Sequence, residues 1–216
     1  MRSVWAILRK EWRSEWRTRY GLNAAVLFAV TSLTAVTFAA GRIPDRVDIL
    51  SALLWLTLMF AALASMSHAF VRETESRTML LLRLVASPTQ IALGKLGFNL
   101  LFLLVVEAIT VPLFLLLTGA PVPNVGPFLA VLALGTVCLA ASSTLVGAVI
   151  AQTRSRGALF AGVSLPILFP VLALGVAGTR AQWEGTSVLS FVQPLAAYAV
   201  ALLAMSLLLY DHLWED

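Results

Sequence analysis

Six long apolar runs divide this chain and determine what it can fold into. They lie at about 23–40, 50–70, 98–118, 127–150, 158–178 and 190–210. Each run reaches or approaches the roughly 20 apolar residues that an α-helix needs to cross about 30 Å of hydrocarbon. Hydrophobic residues make up 60% of the chain and charged residues only 12%, about half of what a soluble domain carries. The runs therefore predict an all-α membrane protein with six transmembrane helices.

A different pattern precedes the first run, over residues 3–20. Apolar residues recur there every three or four positions, at Trp5, Leu8, Trp12 and Trp16. This spacing places them on one helical face, and basic residues cover much of the rest. Because tryptophan anchors at headgroup depth and arginine contacts anionic lipid, the pattern predicts an interfacial amphipathic helix. The alternative is an amphipathic helix packed on a partner. With the six spans, this helix completes a single transmembrane domain over residues 1–216.

Basic residues are unevenly shared between the two sides of the membrane that six spans define. Twelve of the fifteen Lys and Arg residues fall in the N-terminal arm, in segment 71–97 and in segment 151–157. The other three, Arg42, Arg46 and Arg180, fall on the opposite side. Cytoplasmic loops carry the excess of Lys and Arg, so both termini and segment 71–97 are predicted to face the cytoplasm.

The chain has no sequence motif for nucleotide or metal chemistry of its own. It lacks the G-x-x-x-x-G-K-[ST] phosphate loop, since Gly94-Lys95 has no glycine at the upstream position. Its one cysteine, Cys138, and its two histidines lie on different segments, so they predict no metal site. No serine–histidine pair for intramembrane hydrolysis stands out. The chain is therefore predicted not to be catalytic alone, to bind no cofactor directly, and to meet ATP only through a partner subunit.

Segment 71–97 is the longest polar interruption, and we predict that it is a cytoplasmic loop that couples the chain to an ATPase. Its short apolar stretch, roughly Thr78–Val85, suits a helix that inserts into a groove on a partner. Flanking charges can fix the register of such a contact. The alternative is a solvated loop whose charges only set the membrane orientation. The candidate coupling residues are Arg72, Glu73, Glu75, Arg77, Arg83 and Lys95.

Two features inside the spans are candidates for a functional role. Glu107 lies near the centre of the third run, where a carboxylate is costly and marks a transport or partner-contact site by default. The alternative is a protonated side chain that bonds a hydroxyl or a backbone carbonyl of a neighbouring helix. Pro166 and Pro170 predict a helix break in the fifth run, because proline frees the carbonyl four residues earlier. This span is predicted to be flexible or cavity-lining, or else statically kinked.

Three sequence pieces together resemble the CcmB family, heme exporter protein B of cytochrome c maturation. They are the R-E-x-E cluster at Arg72–Glu75, the Leu93-Gly94-Lys95 triplet, and the LPxxxP spacing from Leu165 to Pro170. The R-E-x-E and GK pieces are shared with the broader group of ABC-2 type permeases. Segment 71–97 departs from the family pattern at Arg77, at Met79-Leu80 and at Ala86.

The resemblance implies a permease subunit of an ABC-type complex in the bacterial inner membrane. Its expected partners are a CcmA-type ATPase and the membrane proteins CcmC and CcmD, with heme as the expected substrate. The family is associated with heme export or with release of the loaded heme chaperone. An ABC-2 permease for a drug, lipid or glycan, and a non-transporting membrane scaffold, are the alternative functions.

Overall fold

The computed structural model describes residues 2–41, 45–76, 86–120, 124–151 and 156–213. Over these residues the chain forms seven α-helices and no strand. The helices are α1 (Arg2–Thr18), α2 (Tyr20–Ala40), α3 (Val47–Ser76), α4 (Pro88–Thr118), α5 (Val125–Ala151), α6 (Arg156–Trp183) and α7 (Leu189–Leu213). The expected all-α membrane fold is confirmed.

Five helices are long and apolar enough to cross a membrane. Their spans are Tyr20–Ala39, Pro88–Thr118, Val125–Val149, Gly162–Trp183 and Leu189–Leu209. They correspond to the first and the third to sixth predicted runs. The second run, 50–70, falls within α3, of which Val47–Leu63 is counted as a shorter apolar helix. The side chains of residues 64–76 are not among those described, and the six-span prediction for that run stays a prediction.

Helix α4 begins earlier than its apolar run suggested. Ser87 is the N-cap, its hydroxyl accepts the Gln90 backbone N–H at 3.4 Å, and the Gln90 side chain accepts the Ser87 N–H at 3.4 Å. Pro88 takes the first helical position, where its missing N–H costs nothing. Helix α3 likewise continues to Ser76. Segment 71–97 is thus helical at both ends, which corrects its description as a loop.

Short connections reverse the chain between the long helices. Gly119 ends α4 with φ 72°, and its N–H donates to the Leu115 carbonyl at 3.0 Å. Gly185 has φ 71° in the turn between α6 and α7. Both are left-handed conformations that glycine adopts without a steric penalty. Consecutive membrane helices therefore run antiparallel and pack side by side.

Helix α5 is the centre of the bundle. In its most apolar stretch 72% of the residues are buried, against 17% in α2. It packs against α3, α4, α6 and α7. Its small and hydroxyl-bearing residues permit this close packing, and Gly135, Cys138 and the Ser142–Thr144 triplet are all buried.

Candidate functional site

The first helix docks on one end of the bundle, hereafter the α1 end. Ile7 is buried there in a cluster with Ile91 and Ala92 of α4 and Ala148 of α5. Gly94 makes the approach possible, because a methyl group added to it would lie 2.7 Å from Ile7 Cγ2 and 3.4 Å from the Val4 carbonyl oxygen. Helix α1 therefore packs on the first turns of α4, within the last part of segment 71–97.

Of the three tryptophans predicted as membrane anchors, Trp5 and Trp16 are exposed, whereas Trp12 packs against the bundle core. Trp5 is 65% exposed and Trp16 is 54% exposed, whereas Trp12 is half-buried and stacks on Trp16 with ring centroids 6.0 Å apart. The Arg19 guanidinium lies 5.3 Å from the centre of the Trp16 ring. The helix thus presents two aromatic side chains outward while a second face packs on the bundle of the same chain. Whether its outer face meets lipid or a partner stays a prediction.

A sharp bend joins α1 to α2. Arg19 takes the left-handed conformation, with φ 52°, which is uncommon for a residue with a side chain. Buried Glu15 in the last turn of α1 reaches across the bend, where its Oε1 accepts the Leu22 backbone N–H at 2.9 Å. This bond satisfies one of the free N–H groups at the start of α2 and favours a carboxylate there. Glu15 therefore fixes the angle between α1 and the first span.

The candidate coupling residues lie around the α1 end wherever the structure describes them. Arg72, Glu73 and Glu75 occupy the final turns of α3, and the side chains there are not described. Arg77 and Arg83, with the proposed Thr78–Val85 helix, lie outside the described residues. Lys95 lies in the second turn of α4 and is half-buried. The structure therefore places the two ends of segment 71–97 in helices and leaves its middle as a sequence prediction.

Two polar side chains of α4 face hydroxyl groups of α5. Asn99 Nδ2 donates to Thr144 Oγ1 at 3.0 Å, and both residues are buried. Glu107 Oε2 lies 2.7 Å from Thr136 Oγ1, and this pair is also buried. In both pairs the two residue numbers have the same sum, as expected for two antiparallel helices in a fixed register. The alternative of a hydroxyl partner for Glu107 is therefore realised.

The largest fully buried side chain belongs to Trp55 of α3. Its ring lies against Gly135 of α5 and Gly175 of α6, where an added methyl group would overlap the indole at either site. Its Nε1 donates to Thr179 Oγ1 at 2.8 Å. Three helices therefore meet on one indole ring, and both glycines are needed to admit it.

Helix α6 continues through both of its prolines. Pro166 and Pro170 lie inside Arg156–Trp183, so the helix break predicted there is not present as an interruption. Proline is tolerated within membrane helices where neighbouring groups satisfy the freed carbonyls. Between the two prolines, the Ile167 carbonyl accepts the Tyr198 hydroxyl of α7 at 2.8 Å. This bond ties the proline segment to α7.

The end opposite to α1 is closed by aromatic and ionic contacts. Trp183 stacks between Phe114 and Phe128, with ring centroids 6.2 and 6.1 Å away. Arg46 pairs with Asp48 at 3.2 Å, and Arg180 pairs with Glu184 at 2.6 Å. Both ion pairs are exposed to solvent, so they contribute little to stability. This end thus has its own aromatic packing.

The described residues hold no group of His, Cys, Asp and Glu side chains that could bind a metal ion. What they provide is a helical bundle with buried polar contacts and a helix docked beside the polar segment.

Sequence reasoning identified Glu107 but not the residues that contact it. Thr136, the partner of Glu107, and Thr179, the partner of Trp55, are threonines in apolar runs. A single sequence does not say which helices face each other. Trp55 is an apolar residue in an apolar run. The only sequence signal for its position was the presence of Gly135 and Gly175 in two other apolar runs.

The chain has known relatives along almost its entire length. A family model described as "CcmB protein" matches residues 2–212. Heme exporter protein B of Bradyrhizobium diazoefficiens is 29% identical over 202 residues, covering 91% of this chain and 88% of that protein. Heme exporter protein B of Paracoccus denitrificans is 28% identical over 204 residues, covering 93% of each. The same-named protein of Pseudomonas aeruginosa is 29% identical over 167 residues, covering 76% of this chain and 74% of that protein.

Proposed function

This chain belongs to the CcmB family, and from that premise we propose that it is the membrane subunit of an ATP-driven heme-export complex in cytochrome c biogenesis. The family match over residues 2–212 is the observation that carries this conclusion, because it runs from α1 into α7. The multi-pass helical bundle fits a permease subunit. The absence of a phosphate-loop motif from the sequence fits a chain whose ATP is hydrolysed elsewhere.

The partners that follow from the family are a CcmA-type ATPase and CcmC-type and CcmD-type membrane subunits. The ATPase would contact the α1 end, since segment 71–97 connects α3 and α4 there. An inner-membrane location with both termini cytoplasmic places this end in the same compartment as ATP. The distribution of Lys and Arg supports that orientation.

Helix α4 is the element best placed to carry force from segment 71–97 into the membrane. It starts at Pro88, at the end of that segment, and runs to Thr118. Its first turns hold α1 through Gly94 and its middle is bonded to α5 through Asn99. A displacement of its start would therefore move α1 and load the central helix. Glu73 and Glu75 at the end of α3 lie on the other side of the same segment.

The experiment is affinity purification of the chain from its own host, with measurement of co-purified ATPase and heme and of c-type cytochromes in the cells. Deletion of the gene should abolish c-type cytochromes, and the wild-type chain should restore them. The Glu73→Lys, Glu75→Lys double variant should remain in the membrane but lose most of the ATPase and the cytochromes, because charge reversal disrupts a charge-guided contact. Asp45→Lys, an exposed change before α3, is the matched control.

Three results would reject parts of this proposal. If deletion of the gene leaves the c-type cytochromes normal while an ATPase co-purifies with the wild-type chain, the protein is an ABC-2 permease for another substrate. Normal co-purification and normal cytochromes in the double variant would reject segment 71–97 as the coupling surface. Co-purification of heme-handling proteins without an ATPase would point to a scaffold.

A further inference from the structure

Two contacts between α4 and α5 have the same construction. In one, Thr144 Oγ1 lies 3.0 Å from Asn99 Nδ2 and 2.8 Å from the Ala140 carbonyl oxygen. In the other, Thr136 Oγ1 lies 2.7 Å from Glu107 Oε2 and 2.9 Å from the Leu132 carbonyl oxygen. The contacts are eight residues apart on each helix, about 12 Å along the axis. Each threonine thus lies between a side chain of α4 and a carbonyl of its own helix.

The direction of the hydrogen bonds is unambiguous at Asn99. A threonine hydroxyl has a single proton, and a carbonyl oxygen has none to give. Thr144 therefore donates to Ala140 and accepts from the Asn99 amide, as the distances allow. The α4 side chain is the donor in this contact.

The same count at Thr136 leaves two arrangements, because its single proton goes either to Glu107 Oε2 or to the Leu132 carbonyl oxygen. If Thr136 donates to the Leu132 carbonyl, the 2.7 Å contact with Glu107 requires a proton on the carboxyl group. If Glu107 were ionised, Thr136 would donate to it, and the Leu132 carbonyl would face an oxygen without a proton at 2.9 Å. That arrangement would also leave a carboxylate, 8% exposed, inside an apolar bundle, where an unpaired charge is costly.

The other oxygen of Glu107 has no hydrogen-bond partner among the described residues, and neither has the Thr110 hydroxyl. Thr110 is 1% exposed and lies one turn further along the same face of α4. Seven other helical threonines bond the carbonyl four residues earlier, a common local bond for threonine in helices. They are Thr18, Thr31, Thr37, Thr57, Thr118, Thr136 and Thr144. Thr110 makes no such bond, so its buried hydroxyl is left to pair with another group.

We propose that Glu107 is a neutral, protonated hydrogen-bond donor to Thr136, and that its second oxygen and the Thr110 hydroxyl bind one water molecule inside the bundle. A buried water typically joins two to four polar groups that protein atoms leave unsatisfied. The Glu107 carbonyl oxygen accepts from this water, and the Thr110 hydroxyl supplies its second contact. The site therefore takes a small neutral hydrogen-bonding molecule and no cation.

This inference does not depend on heme export, because it concerns atoms of α4 and α5 alone. It gives Glu107 the role that an amide has at Asn99, joining two helices without a buried charge. A positioning residue of this kind sets the register between α4 and α5. It does not act as a counter-charge for a substrate.

The test is infrared difference spectroscopy of the purified chain in lipid nanodiscs. The spectrum of wild type minus Glu107→Gln should contain a carboxylic-acid C=O stretching band that moves to lower frequency in D₂O. Thr110→Val should shift this band to higher frequency, because the water loses one of its two contacts. Thr110→Ser, which keeps the hydroxyl, should leave the band in place. Circular dichroism establishes that each variant keeps its helical content.

Two outcomes would overturn the proposal. Loss of carboxylate bands instead of an acid band in Glu107→Gln would show that the group is ionised. An acid band that is identical in wild type and Thr110→Val would remove the water site. If Thr110→Val does not fold, spectra of the wild type and of Glu107→Gln after exchange into H₂¹⁸O take its place. A water O–H band that shifts with the isotope in the wild type and is missing from Glu107→Gln supports the water site. Absence of such a band from the wild type rejects the water site. Glu11→Gln on α1 is the control for nonspecific carboxylate bands.

Discussion

At two helix–helix contacts in this protein, here called junctions, a bulky side chain packs directly on glycine. The two junctions differ in what surrounds the contact. At the Trp55 junction, the indole is 1% exposed and lies between Gly135 and Gly175 while bonded to Thr179. At the Ile7 junction, Ile7 is 5% exposed and lies over Gly94. However, its helix α1 has large exposed side chains on the outer face. Trp55 is therefore enclosed on all sides, whereas α1 can shift outward as a unit.

The difference suits a protein driven from one end. The Trp55 junction joins α3, α5 and α6 into a block that resists displacement, since packed interiors have little room to yield. The Ile7 junction lies next to segment 71–97, where the proposed ATPase contact enters. A contact that can yield is useful there, because the start of α4 must move relative to the block.

The comparison predicts the largest effect at Gly135. Gly135→Ala would place a methyl group inside the Trp55 ring, which has no free space to move into. We expect a loss of about 3 kcal/mol in the free energy of unfolding, at the upper end of overpacking effects. Titration with sodium dodecyl sulfate in mixed micelles, followed by circular dichroism, measures this loss.

The control for this change lies on the same helix. Gly126 has no atom within 4 Å of an added methyl group, so Gly126→Ala should be neutral or slightly stabilising. Equal stability of the Gly135→Ala and Gly126→Ala variants would show that the Trp55 junction is not rigid.

A smaller loss is expected when the Trp55 hydrogen bond is removed without a change in packing. Thr179→Val leaves the indole N–H buried without its acceptor, which costs about 1–3 kcal/mol. Trp55→Phe should cost a similar amount through the lost ring volume. The double variant should cost clearly less than the sum of the two, because both single changes break one bond. Simple additivity in the same titration would mean that the 2.8 Å contact contributes nothing.

At the Ile7 junction we expect a loss of only about 1 kcal/mol for Gly94→Ala. The methyl group meets Ile7 Cγ2 and Cβ at 2.7 and 2.8 Å, so α1 must move away from α4. Ile7→Ala removes the obstructing atoms, and the double variant should regain part of the stability. The same titration measures both, and a loss as large as that of Gly135→Ala would contradict an adjustable junction.

The sequence was sufficient for the helices and insufficient for some of their ends. Five apolar runs became long helices because their length and composition leave no other structure in a membrane. The start of α4 was missed although the capping residues Ser87 and Gln90 were visible in the sequence. Because segment 71–97 is polar, we predicted a loop there, but a helix can leave the membrane and continue in water.

The candidate site was predictable only where a residue is unusual by itself. Glu107 was identified because a carboxylate in an apolar run is costly, and no partner is needed for that inference. Its bond to Thr136 depends on the register between α4 and α5, which a single sequence does not contain. The helix break expected at Pro166 failed for a related reason. Whether proline interrupts a membrane helix depends on how the neighbouring helices pack around it, which a single sequence does not contain.

The smallest effect is expected at Gly97, one turn beyond Gly94 on the same face of α4. An added methyl group would lie 2.8 Å from Leu8 Cδ1, but the other Leu8 atom nearby is 4.0 Å away. A small rotation about the Leu8 Cβ–Cγ bond moves Cδ1 away and relieves this contact, and the gain in helix propensity from glycine to alanine offsets its cost. Gly97→Ala should therefore change the free energy of unfolding by no more than about 0.5 kcal/mol. A loss of the size expected for Gly94→Ala would show that Leu8 is held in place and that α1 is clamped along its length, as firmly as Trp55 is in the bundle.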